Sequence, residues 1–203
     1  MRKEDLGVDV SRETFEKLEA FHSLVLKWNP TINLVSKSNL SELWERHIRD
    51  SAQIVQFGGI GSRWLDIGSG GGFPALVVAI MSRETTPERN VGMIESDRRK
   101  ASFLRTCIRE LELPASVIAE RIEKASPQNA QVLSARALSD LANLLSYADR
   151  HLANHGKALF MKGASWQNEV DAARESWSFE LKAHTSITNP SAAILEIKDI
   201  ERV

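Results

Sequence analysis

Apolar residues in the first third of the chain recur at helical spacing. Phe15, Leu18, Phe21, Leu24 and Trp28 form one stripe behind Ser11, a residue suited to capping a helix, with Glu13 in the first turn. The pair Asn29-Pro30 is expected to stop this helix, because proline lacks the N–H that a helix interior needs. A second helix is expected over 41–55, with Leu43, Trp44, Ile48 and Ala52 facing inward, and Gly58, Gly59 and Gly61 read as a linker. From Arg63 onward the pattern changes. Short apolar runs at 64–67, 91–95, 115–119, 132–135 and 158–162 alternate with helical stretches at 74–81, 98–111, 138–152 and 167–176, which is the signature of parallel strands joined by crossover helices. Two last runs, 179–185 and 193–200, are joined through Thr188-Asn189-Pro190-Ser191; that link is too short for a crossover helix, so they should pair antiparallel. The pattern predicts an α/β chain with a helical extension over 1–60 packed on a domain over 61–203, whose five-stranded parallel sheet ends in a hairpin.

Composition narrows the setting. The chain has 203 residues, 42% hydrophobic and 26% charged, the proportions of one ordinary globular unit. No stretch approaches the roughly 20 apolar residues of a membrane span, and the start MRKEDLGVDV carries acids where an export signal needs an apolar run, so the cytosol is expected. The single cysteine, Cys107, lies in line with Leu104, Ile108 and Leu111 and reads as core. A net charge of −1 gives no global signal for nucleic acid, so any RNA contact must be local. Arg98, Arg99, Lys100, Arg105 and Arg109 suit either a solvated helix face or a phosphate track. His151 and His155 have the spacing of metal ligands, but they precede Gly156 as histidines at a helix C-terminus do, and no metal is expected.

The candidate chemistry centres on WLDIGSGGGFPALVVAI, residues 64–80, where glycines follow a strand and open a helix. The dinucleotide fingerprint G-x-G-x-x-G needs a third glycine where this chain has Phe73; the spacing here is G-x-G-x-G, through Gly68, Gly70 and Gly72, led by Asp66. Beyond the next strand Glu95 stands where a carboxylate accepts hydrogen bonds from both hydroxyls of a ribose. A pyrophosphate wants a free helix N-terminus, whereas the methionine part of S-adenosylmethionine wants room beside glycine backbone. The turn, the acid and the terminal hairpin together favour the methyl donor over NAD.

Further motifs carry a resemblance. WNPTINLVS (28–36), LWERHIRDSAQI (43–54), IESDRRKASFL (94–104), ERIEK (120–124), LSARAL (133–138) and ALFMKG (158–163), with the glycine turn, are similar to the ribosomal RNA small subunit methyltransferase G family, formerly glucose-inhibited division protein B, over roughly residues 11–163 in order. The resemblance implies a Rossmann-like class I methyltransferase fold, S-adenosyl-L-methionine as methyl donor with S-adenosylhomocysteine as product, and methylation of N7 of one guanine in 16S ribosomal RNA, free or in the small subunit, by a cytoplasmic monomer. It places donor contacts on Gly68, Phe73, Ile122, Glu123 and Arg136, to which the physical argument adds Gly70 and Glu95. Arg136 and Lys162 are candidate positioning residues, with Lys162 facing RNA phosphate or the substrate base. Ala75 stands where the family has glycine, and the Gly/Pro/Arg-rich end frequent in the family is missing.

Guanine N7 carries a lone pair and no proton, so attack on a sulfonium methyl group needs alignment rather than a general base. This agrees with a sequence that offers no Ser-His-Asp or Cys-His constellation. An arginine fork on O6 and N7 would block the nucleophile, so the base must be held by another edge and be free of its helix. Phe73, Trp64 and Trp166 are candidates for stacking on it, although each also suits a core, and His47 suits either RNA contact or packing. A methyltransferase with a protein or small-molecule acceptor, and a non-catalytic nucleotide-binding module, are the competing readings.

Overall fold

The computed structural model describes residues 3–36, 40–61 and 63–203, with the side chains of Lys3 and Asp5 left aside. The first two residues of the MRKEDLGVDV start and residues 37–39 and 62 therefore lie outside the description.

Helix α1 spans Arg12–Ile32, and the Ser11 side chain accepts a hydrogen bond from Thr14 N at its start. The helix does not stop at Asn29-Pro30. Pro30 sits inside its last turn, and the end comes at Asn33, whose left-handed φ of 55° lets its N–H reach Asn29 O. The carbonyl that Pro30 leaves unpaired in the ladder belongs to Leu26, which is 41% exposed, so water can take the place of the lost N–H. The second helical segment also departs from expectation: Trp44–Arg49 is π-helical, followed by the short α2, Asp50–Ala52, and a 3-10 turn at Val55–Phe57. Residues four apart stay within about 40° of one face in an α-helix and on a similar face in the wider π ladder, so the apolar pattern does not separate the two. The glycines read as a linker are built in: a Cβ on Gly58 would lie 2.3 Å from the Trp64 ring, and the Gly59 and Gly61 carbonyls accept from the buried Arg89 guanidinium.

The remainder alternates as expected: β1 (Arg63–Ile67), α3 (Ala75–Thr85), β2 (Asn90–Ile94), α4 (Arg98–Glu110), β3 (Ala115–Ile118), β4 (Ala130–Arg136), α5 (Leu141–His151), β5 (Leu152–Lys162), α6 (Trp166–Ala173), β6 (Trp177–Thr185) and β7 (Ala193–Arg202). The seven strands form one sheet in the order β3-β2-β1-β4-β5-β7-β6. The first five run parallel, and β7 enters antiparallel between β5 and β6. Alternate strand residues feed two cores: Trp64, Val132 and Leu159 face α1, α3 and α4, while Leu65, Leu133 and Phe160 face α5 and α6. Cys107 is wholly buried in the first core, and burial pushes its thiol up to about 12.

The histidine pair separates. His151 ends α5 and its Nε2 lies 3.0 Å from Ile122 O, whereas His155 is in β5 with a φ of 60°. Helix α5 ends at His151, five residues before Gly156, so only the first of the two is at a helix C-terminus. No group of three or more His, Cys, Asp or Glu side chains placed to hold a metal occurs among the described residues.

Candidate active site

The carboxyl ends of β1, β2 and β4 surround a cavity of about 520 Å³. Gly68, Gly70, Phe73, Glu95, Ile122, Glu123 and Arg136 all line it, so the chain brings together every residue assigned to the donor from the sequence. Gly68, Gly70 and Gly72 have positive φ, and a Cβ on Gly68 would meet Leu138 Cδ1 at 2.5 Å. At Gly70 a Cβ would meet only the Gly68 carbonyl, at 3.8 Å, which leaves open space beside this backbone. Glu95 is buried, with one carboxylate oxygen accepting from Gly70 N at 2.7 Å and the other from Asp97 N at 2.7 Å. It thereby ties the glycine turn to the start of α4. Glu123 is exposed in a turn over residues 122–124.

The N-terminal segment supplies part of the wall. Asn29 is buried, and its Oδ1 accepts from Val35 N at 2.8 Å. This bond holds Leu34 and Val35 over the glycines, where a Cβ on Gly71 would lie 3.2 Å from Leu34 O; both residues line the cavity. Below the turn Asp66 is 1% exposed. The Trp64 indole N–H donates to Ser134 Oγ at 2.8 Å, and Ser134 donates on to Asp66 Oδ1 at 2.5 Å. Burial pushes the Asp66 carboxyl up to about 7 against the pull of the Ser134 hydroxyl, and its second oxygen has no hydrogen-bond partner.

A larger cavity of about 920 Å³ adjoins the first, and Arg136 and Ala137 line both. The π-helical turn and the start of α2 hold Arg136 from three sides: its guanidinium donates to Arg46 O at 3.1 Å, to Asp50 Oδ2 at 3.3 Å and to His47 Nδ1 at 2.5 Å. Arginine cannot accept, so His47 Nδ1 is the acceptor and the neutral ring carries its proton on Nε2. Burial first, and then Arg136, push the His47 imidazole down to about 4, which keeps it neutral. The Phe73 ring packs against both, 5.1 Å from the His47 ring centroid and 5.2 Å from the guanidinium carbon of Arg136.

The profile of the rRNA small subunit methyltransferase G family matches residues 14–197. A curated protein of that name from Ruegeria sp. (strain TM1040) is 52% identical over 98% of this chain and 97% of its own length, and one from Paracoccus denitrificans (strain Pd 1222) is 48% identical over 94% and 97%. The chain belongs to the ribosomal RNA small subunit methyltransferase G family. Its fold agrees with two solved structures: an S-adenosylmethionine-dependent methyltransferase from Aquifex aeolicus (TM-score 0.59, 12% identity, 77% of this chain and 93% of that one), and a putative methyltransferase from Methanococcus maripaludis (0.56, 14%, 94% and 95%). The architecture is the Rossmann-like one of S-adenosylmethionine-dependent methyltransferases.

As a member of this family, the protein treats the other residues selected from the sequence unevenly. Lys162 lines the larger cavity but is not a free cation: it donates to Ser139 O at 2.8 Å and pairs with Glu169 at 2.5 Å. Trp64 and Phe73 are 1% and 4% exposed, so neither ring is available to stack on a base, and Trp166 packs half-buried beside the second core. On α4, Arg98, Arg99, Arg105 and Arg109 are exposed, while Lys100 lines the smaller cavity. Sequence reasoning passed over Asp50, Gln53 and Thr188, which meet at the larger cavity. Asp50 had one signal, the RHIRDS run, whose polar residues share a helical stretch with inward-facing apolar ones.

Proposed function

We propose that the protein transfers a methyl group from S-adenosylmethionine to N7 of a guanine in 16S ribosomal RNA, free or within the small subunit, in the cytoplasm. The observation that carries this reading is the gathering of seven separately selected residues around one cavity at the carboxyl ends of parallel strands. The cavity fits the donor's parts: Glu95 offers carboxylate oxygens to ribose hydroxyls, the space beside Gly70 admits the methionine portion, and the buried Ile122 with Glu123 offers an apolar and a polar contact to adenine. Bound there, the donor supplies an electrophilic sulfonium methyl group. Arg136, locked by the π-helical turn, contributes a fixed positive charge where the two cavities meet, and Leu34 and Val35 cover the glycine backbone from one side. No proton has to leave N7 as it attacks, so these residues act by alignment, which can lower a barrier by roughly 7–11 kcal/mol when the reacting atoms are held in line.

The test is to incubate the protein and S-adenosylmethionine with ribosomal RNA from a strain lacking the gene and to map the product by nucleoside mass spectrometry. N7-methylguanosine at one 16S position is expected. A methyl group on another atom overturns the N7 assignment, and activity confined to proteins or free metabolites overturns the acceptor.

A further inference from the structure

The larger cavity holds several carboxylates, and their partners differ. Glu42 and Glu45 pair with Arg46 and Arg49 along the open flank of the helical segment, with side chains 52% and 47% exposed. Glu169 is bound to Lys162. Asp50 is placed otherwise. Its Oδ1 accepts from Thr188 Oγ1 at 2.6 Å and from Gln53 Nε2 at 2.8 Å, which ties the N-terminal segment to the tip of the β6–β7 hairpin. Among the described residues its Oδ2 takes only the 3.3 Å bond from Arg136, the residue that lines both cavities. A carboxylate oxygen has two lone-pair sites, so Oδ2 keeps one for a donor entering the cavity, and the side chain is 19% exposed there.

Building on the guanine-N7 reading above, we infer that this cavity receives the acceptor guanosine and that Asp50 Oδ2 accepts a hydrogen bond from its 2-amino group. The chemistry selects this group. Of the two hydrogen-bond donors of the guanosine base, N1–H and the exocyclic 2-amino group, the 2-amino group lies farther from N7, so a base held there presents N7 away from Asp50. Arg136, adjoining Asp50, is where the donor cavity begins. Adenine has no 2-amino group, so the same contact separates the two purines. Asp50 is thus a specificity-determining residue, with Gln53 and Thr188 orienting its carboxylate.

The test is a cycle between protein and RNA: wild type and Asp50→Asn, each acting on ribosomal RNA carrying guanosine or inosine, which lacks the 2-amino group, at the mapped nucleotide. Wild type is expected to lose about 10- to 100-fold in kcat/KM on inosine, the discrimination that one hydrogen bond to a charged group supplies. Asp50→Asn should lose a similar factor on guanosine and no more than about threefold further on inosine, because the contact is already gone. Glu42→Gln removes another charge from the same cavity and leaves Asp50 and its partners in place, so it should retain the wild-type guanosine-to-inosine ratio. Multiplying losses in the cycle, or a Glu42→Gln ratio that collapses as in Asp50→Asn, overturns the assignment. Absence of N7-methylguanosine with wild type on unmodified RNA is a different outcome, which refutes the underlying N7 reading.

Discussion

Asp66 is a carboxyl group in a place that penalises its charge. It is buried under the glycine turn, with one oxygen bound by Ser134 and the other unpartnered, and it is held near 7 instead of the ordinary 3.8. A carboxyl whose pKa is raised on folding contributes stability that is fully present below the unfolded value and is lost as pH rises through the folded one. The expected window is therefore about pH 4 to 7. Asp66→Asn keeps an oxygen for Ser134 and removes the charge, so its melting temperature should exceed that of wild type at pH 8, with the gain vanishing by about pH 4. Scanning calorimetry of both proteins checks this, and the difference between them cancels the opposite acid-side loss from neutral His47, which protonates in the unfolded chain below its ordinary 6.5. An unchanged difference across that range would show that Asp66 is not the titrating group. Gly68, Gly70 and Glu95 could be selected from the sequence because their place at the cavity depends on the backbone of their own turn or strand end. Asp50 was not, because the partners that give it meaning lie 86 and 138 residues away.

At the scale of elements, the run from α1 into the glycine turn shows how a helix end builds a site. Asn33 ends α1 in a left-handed conformation, and the Asn29 side chain then takes up the Val35 N–H, so the chain crosses the glycines at a set height. Asn29→Ala leaves that N–H buried and unpaired, at a cost of about 1–3 kcal/mol. Urea denaturation should show this loss, and calorimetry should show weaker binding of S-adenosylmethionine as Leu34 and Val35 loosen; full stability would show that water replaces the side chain. Apolar periodicity located α1, but the site at its end rests on one side-chain hydrogen bond that periodicity does not register. The same limit hid the π-helical turn, whose inward apolar face matches an α-helix while its backbone presents Arg46 O, His47 and Asp50 together to Arg136.

For the whole molecule, the decisive fact is a core shared by the N-terminal segment and the sheet. Phe21 touches Phe73, Trp28 packs on Phe103, and Arg89 binds the Gly59 and Gly61 carbonyls that lead into β1. A helix whose apolar face is buried in the common core should not unfold by itself. Urea unfolding followed by tryptophan fluorescence, which samples Trp28 and Trp44 as well as Trp64 and Trp177, and by circular dichroism should give one coincident transition; two transitions would mean that the extension folds apart. By itself the sequence determined the alternation of strands and helices, the antiparallel ending and the glycine turn, since each follows from periodicity or from the conformational freedom of residues adjacent in the chain. Only the tertiary structure decided that β7 enters between β5 and β6, that Lys162 is spent on Glu169 and Ser139, and that Arg136 stands between two cavities under the grip of the N-terminal segment. Those outcomes depend on which distant groups share a buried volume, where charges and N–H groups must find partners, and a linear pattern of polar and apolar residues does not specify that pairing.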